Sequence, residues 1–169
     1  MWRSKGNHSI TLLNMSRAKK ILLAILIVLV GIQFIQPARN QSGQVLTTDM
    51  ARMYKMPDTV QAILKSACND CHSNNTNYPW YTYVQPIGWI LDNHVRNGKK
   101  ELNFSEFGSY TLRRQRSKLK SISNQVKDGD MPLYSYTIMH KNARLAKEQK
   151  QLIIEWAQKT KDSLEQNNP

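Results

Sequence analysis

The stretch DTVQAILKSACNDCHSNNT, residues 58–76, decides how the rest of the chain is read. Val60, Ile63, Leu64 and Ala67 fall at i, i+3, i+4 and i+7, one apolar stripe of a helix that stops at Cys68. Asp58, with Gln61 three residues on, reads as its N-cap in a capping box. The stripe delivers Cys68-Asn69-Asp70-Cys71-His72, and Cys-x-x-Cys-His is the spacing of covalent c-type haem attachment. Two thiols three positions apart reach the two vinyl groups on one porphyrin edge. The histidine beside them then meets the iron from the proximal side.

Other chemistries use the same residue types. A thioredoxin-like redox pair needs a βαβ setting, and this chain shows no alternating valine-rich run. A zinc site needs a further ligand such as His94 or His140, usually with a second close pair. A plain exported disulfide is also chemically allowed. Agreement between the spacing, an export signal and a helical context favours haem.

Upstream, residues 21–35 read ILLAILIVLVGIQFI, apolar on every face apart from Gln33 and preceded by Arg17, Lys19 and Lys20. Fifteen helical residues reach about 22 Å, short of a ~30 Å hydrocarbon core, with Lys19 and Lys20 placed to snorkel. The residues that follow lack an Ala-x-Ala cleavage pattern and a lipobox cysteine, so the segment reads as an uncleaved transmembrane anchor. The basic flank keeps the N-terminus cytoplasmic and sends the rest to the periplasmic side of a bacterial inner membrane as a single-pass protein. Met15 opens a compact basic leader of its own, so Met1 and Met15 both stand as starts.

The chain has 169 residues and a net charge of +12, of which Arg3, Lys5, Arg17, Lys19 and Lys20 supply five. That length suits one domain with appendages and excludes large two-domain enzymes and barrel scaffolds. The division expected is a basic N-terminus (1–20), an anchor (21–36), a linker lying along the domain (37–57), an all-α haem domain (58–162) and a tail (163–169). Further helices are expected from Pro86 to Asn97, stopped by Gly98, from Thr111 to Lys127, and from Leu145 to Lys161, with loop over 99–110. Ile87, Ile90, Leu91 and His94 share one side of the first of these. Trp80, Tyr81, Tyr83 and Trp89 read as packing around the porphyrin or in the core. Arg113 to Lys120 form a cationic helix face, suited to an acidic redox partner, haem propionates or anionic lipid.

For the distal position, Met131 in Gly129-Asp130-Met131-Pro132 would complete His/Met coordination, which raises the reduction potential. His94 and His140 are the rival ligands, and an open distal side is the fourth possibility.

Residues from about Ile32 to Lys159 resemble the bacterial haem-binding domain proteins, membrane-anchored relatives of class I cytochrome c. The segments that carry the resemblance are Ala67 to Thr76, Tyr78-Pro79-Trp80-Tyr81, Leu102 to Phe107, Met131 to Tyr136 and Gln151 to Ala157. Tyr134 departs from the pattern, standing where these proteins often have a second proline. The resemblance implies a cytochrome c-like helical fold and one haem c bound to Cys68 and Cys71. It also implies His72 as proximal ligand and, by analogy with class I cytochromes, Met131 as distal ligand.

The expected function is single-electron transfer with a redox partner in the membrane or periplasm, without nucleic acid and without catalysis at the iron. The alternatives are a haem peroxidase or gas sensor with an open distal site, and a non-haem exported module with a Cys68–Cys71 disulfide or metal.

Overall fold

The structure, a computed structural model, describes residues 15–166. Its helices are α1 (Arg17–Ile32), α2 (Met50–Met53), α3 (Asp58–Ala67), α4 (Asn69–His72), α5 (Ile87–Glu101), α6 (Leu112–Asp128), α7 (Tyr134–Met139) and α8 (Lys147–Gln166). Short 3₁₀ segments cover Trp80–Tyr83, Phe104–Ser109 and Lys141–Ala143. Among the described residues, extended pairing is limited to one isolated bridge between Gln41 and Asn75. The domain is all-α.

The core forms where the stripes of α3, α6 and α8 meet. Val60, Ile63 and Leu64 pack with Leu119, Ile122, Val126, Ile153, Trp156 and Ala157, and the 104–109 segment adds Phe104 and Phe107. The most extensive helix pairing is α6 along α8. Thr111 caps α6 by accepting from the Arg114 amide, and Gly129 ends it at φ 83°, a left-handed conformation that glycine adopts without a Cβ penalty.

Several expectations need correction. Asp58 is the first residue of α3 rather than its cap; Pro57 precedes it with no side-chain cap bond. The Asp58 carboxylate instead faces the positive end of the helix dipole. Helix α5 does not stop at Gly98 but runs to Glu101, and its buried positions are Gly88 and Val95, while Ile87 and Ile90 are exposed. The expected loop over 99–110 is therefore mostly helical. Trp80 is 79% exposed and Tyr83 is 56% exposed, so neither is core. The short turn there buries Thr82 instead, whose hydroxyl donates to the Pro79 carbonyl. Helix α8 extends to Gln166 into the expected tail; residues 167–169, like the basic residues Arg3 and Lys5, lie outside the described residues.

The expected span at 21–36 is also corrected. No helix among the described residues is long and apolar enough to cross a membrane. Helix α1 has 16 residues, about 24 Å of rise. Its end is set by two glutamines that belong to the domain. Gln33 donates to the Gln85 carbonyl and accepts from the Gln85 amide at 2.9 Å, while Gln36 donates to the Tyr83 carbonyl at 3.1 Å. None of the α1 residues is buried.

The 37–57 segment is bonded closely to α5 and to the residues after α4. Asn40 donates to the Ser73 carbonyl at 2.8 Å and to the Thr76 hydroxyl at 2.9 Å, and accepts from Lys99 Nζ at 2.6 Å. Further along, Met50 is 1% exposed in the core.

Phe107 is fully buried, edge-on to Tyr54 with ring centroids 5.9 Å apart. Its truncation removes a large side chain from a site ringed by rigid helices. Phe107→Ala is expected to lower stability by about 3–5 kcal/mol in urea unfolding, and a loss under about 1 kcal/mol would place Phe107 outside the cooperative core.

Candidate functional site

The site is built on a break between two helices. The Cys68 amide closes α3 by donating to the Leu64 carbonyl at 2.9 Å. The Cys68 carbonyl then accepts from the amides of Cys71 (3.2 Å) and His72 (3.0 Å), which winds the motif into the single turn of α4. Asp70 fixes the outgoing loop: its carbonyl accepts from the Thr76 hydroxyl at 2.6 Å and its carboxylate from the Asn77 amide at 3.0 Å.

His72 is held from behind by α5. Its Nδ1 lies 3.1 Å from the Gly98 carbonyl and 3.0 Å from the Leu102 carbonyl. Carbonyls only accept, which assigns the proton to Nδ1 and leaves the lone pair of Nε2 free for a metal. The approach needs glycine. A Cβ on Gly98 would sit 2.6 Å from the Cys71 carbonyl oxygen and 3.1 Å from Cys71 Cβ. Gly98 is therefore conformationally ordinary but sterically required, which explains a glycine inside a helix.

Cys68, His72 and Met131 line one cavity of about 290 Å³, walled by Leu102, Phe104 and Ile122. The ring of His72 lies 5.7 Å from that of Phe104, centroid to centroid. Lys118 also lines the cavity and pairs with Glu101 at 3.5 Å. Met131 reaches it from the turn after α6, where its amide donates to the Gln125 carbonyl at 3.2 Å. A wider recess of about 990 Å³ lies over Asp70, Tyr136 and His140, and neither motif thiol lines it.

Burial governs the titration of these groups. It pushes the Cys68 thiol up to about 12, with Cys71 adding, and the Cys71 thiol up to about 11, with Asp70 adding. Both cysteines are free and stay protonated at neutral pH, unlike an activated thiolate pair. Burial lowers the His72 pKa; the two carbonyl bonds oppose that and Lys118 adds to it.

The other sequence candidates are elsewhere. His94 lies on α5 and is not among the residues lining the cavity. His140 is engaged: its Nε2 accepts from the Tyr81 hydroxyl at 3.0 Å and its Nδ1 donates to the Tyr136 carbonyl at 3.1 Å. Trp80, Tyr81, Tyr83 and Trp89 do not line the cavity either. Cys71, in α4 against Gly98, is not among the residues lining the cavity. Among the described residues, no group of three or more His, Cys, Asp or Glu is placed to hold a metal ion. Sequence reasoning missed Gly98 and Leu102 as the backbone partners of His72. The available signal was a glycine one residue past the expected helix end, spaced 26 residues from the histidine.

The family model for the haem-binding domain matches residues 27–159. No curated protein and no solved structure matches the chain. The chain belongs to the haem-binding domain family, and haem is its cofactor. The residues fit that group: a neutral imidazole with a free Nε2, oriented through Nδ1, shares a mostly apolar cavity with a thiol and a thioether.

Two outcomes follow for the haem-free chain. Gly98→Ala is expected to cost about 2–3 kcal/mol in urea unfolding, because the added methyl meets backbone rather than a movable side chain; an unchanged midpoint would refute the close α4–α5 approach. His72 binds a proton less readily folded than unfolded, so stability falls as pH drops below the ordinary value of 6.5. Stability measured at about pH 7 and about pH 5 should fall less in His72→Gln than in the wild type. An equal fall in both would show that His72 does not contribute.

Proposed function

We propose that the protein is a c-type cytochrome domain that carries single electrons at a membrane surface, with haem held covalently by Cys68 and Cys71 and ligated by His72 and Met131. The observation that carries this reading is the shared cavity: Cys68, His72 and Met131 converge on it from the break after α3, from α4 and from the turn after α6. When bound, haem supplies an iron that alternates between ferric and ferrous states. The chain's own residues orient and enclose. The carbonyls of Gly98 and Leu102 hold the His72 ring through Nδ1, keeping Nε2 directed by backbone rather than by a mobile side chain. Leu102, Phe104 and Ile122 exclude water, which favours the less charged state of a buried redox centre. Met131 would offer the iron a soft thioether, a donor suited to a raised potential.

A carrier is favoured over a peroxidase or sensor because His72 is the one histidine among the described residues lining the cavity, so no second imidazole stands ready as a distal acid–base group. The partner proposed is an acidic redox protein. Arg113 and Lys120 are exposed on the outer side of α6, whose inner side lines the cavity with Lys118, Ile122 and Val126. Membrane association is proposed through α1, on which Ile21, Leu22, Ile25 and Leu26 are exposed beside Lys19 and Lys20. The location proposed with it is the exported face of a bacterial inner membrane, the side on which the Cys-x-x-Cys-His motif would receive its haem.

Met131 gives the test. Loaded with haem, Met131→Ala is expected to lower the reduction potential by on the order of 100 mV and to admit carbon monoxide to the ferrous iron. A variant with the wild-type potential that still refuses carbon monoxide would remove Met131 from the coordination sphere.

A further inference from the structure

Helix α7 follows Met131 by three residues, and none of its residues is buried. With no fully buried residue to anchor it, the helix depends on partial packing and on its polar contacts. Tyr136 donates from its hydroxyl to Asp70 Oδ2 at 2.7 Å. His140, at the end of the helix, accepts from the Tyr81 hydroxyl and stacks on the Tyr136 ring with centroids 4.0 Å apart and planes at 16°. Arg144 donates to the Thr137 carbonyl at 3.1 Å, a contact local to the same segment.

The partner at the far end of the first bond is informative. Asp70 lies between Cys68 and Cys71 inside the haem motif, and its carbonyl and second carboxylate oxygen are already fixed by Thr76 and Asn77. It is a rigid anchor. On the other side, the Met131 segment is tied to α6 by the Gly129 turn and by the bond from the Met131 amide to the Gln125 carbonyl. The five residues from Gly129 to Leu133 thus run between α6 and a helix hooked onto the proximal motif. Burial and Asp70 both push the Tyr136 hydroxyl pKa up, so the phenol stays a donor.

We propose that Tyr136 is a positioning residue: its hydrogen bond to Asp70 latches the Met131 segment onto the haem motif and sets how often the distal side opens. The inference rests on the reading of Met131 as distal ligand. It makes the two halves of the site mechanically dependent. Loss of the latch frees α7, the Met131 side chain leaves the cavity more often, and small ligands reach the iron without any change in a residue that touches it.

The experiment uses the full chain loaded with haem. Tyr136→Phe keeps the ring and its stacking on His140 but removes the donor. A hydrogen bond to a charged acceptor shifts an equilibrium by roughly tenfold or more, so carbon monoxide should bind the ferrous protein about tenfold faster in Tyr136→Phe. The weak ferric absorption band of thioether ligation should fall with it. Asp70→Asn leaves one carbonyl oxygen for two donors, the Asn77 amide and the Tyr136 phenol, and should speed binding in the same direction as Tyr136→Phe. Met131→Ala provides the fully open limit. Rapid binding in Met131→Ala with unchanged binding in Tyr136→Phe would overturn the latch and leave the ligand reading standing. A Met131→Ala protein no faster than wild type would overturn both. In the haem-free chain, amide exchange across residues 134–140 should accelerate in Tyr136→Phe while that of α8 holds; equal exchange in the two proteins overturns the latch as well.

Discussion

The site depends on how closely α4 and α5 approach. Gly98 lets the second helix come near enough for its carbonyl, with that of Leu102, to accept from His72 Nδ1. Both the tautomer and the direction of Nε2 follow from that contact. Orientation by backbone carbonyls is rigid because both acceptors belong to one helix end, which the 104–109 segment ties into the core through Phe104 and Phe107. The buried apolar cluster and the orientation of His72 are therefore parts of a single structural unit.

Around that contact, the segments after each helix act as ties rather than as connectors. The asparagine-rich turn after the motif is an example. Asn74 accepts from Asn103 and donates to Glu106, its amide bonds the Ser105 hydroxyl, and Asn40 crosses from the upstream strap to Ser73 and Thr76. Short polar side chains satisfy backbone groups that no helix or sheet would otherwise pair. Together these bonds hold a four-residue helix, too short to persist alone, in one conformation.

Much of this was legible in the sequence. The stripe Val60, Ile63, Leu64, Ala67 is the buried face of α3, and Leu119, Ile122 and Val126 form that of α6, because three- and four-residue spacing reports one helix face directly. That Cys68 and His72 would share a site was legible from their adjacency along the chain, and both line one cavity. What was not legible depends on contacts between distant segments. Gly98 resembles a helix stop locally and is a helix interior residue because Cys71 lies against it. Gln33 looks like a polar interruption of an apolar run and is bound to Gln85, 52 residues away. Ile87 and Ile90 follow helical spacing yet face outward, since the side of α5 turned to the motif is set by Gly88 and Val95. Periodicity says which residues share a face and is silent on what that face meets.

Covalent attachment at Cys68 and Cys71 is the central claim, and intact-mass analysis of the chain exported from a host with active cytochrome c maturation tests it most directly. The account predicts a mass raised by one haem, retained under denaturing conditions, with neither thiol open to alkylation. An unmodified mass with both thiols fully alkylated would contradict it.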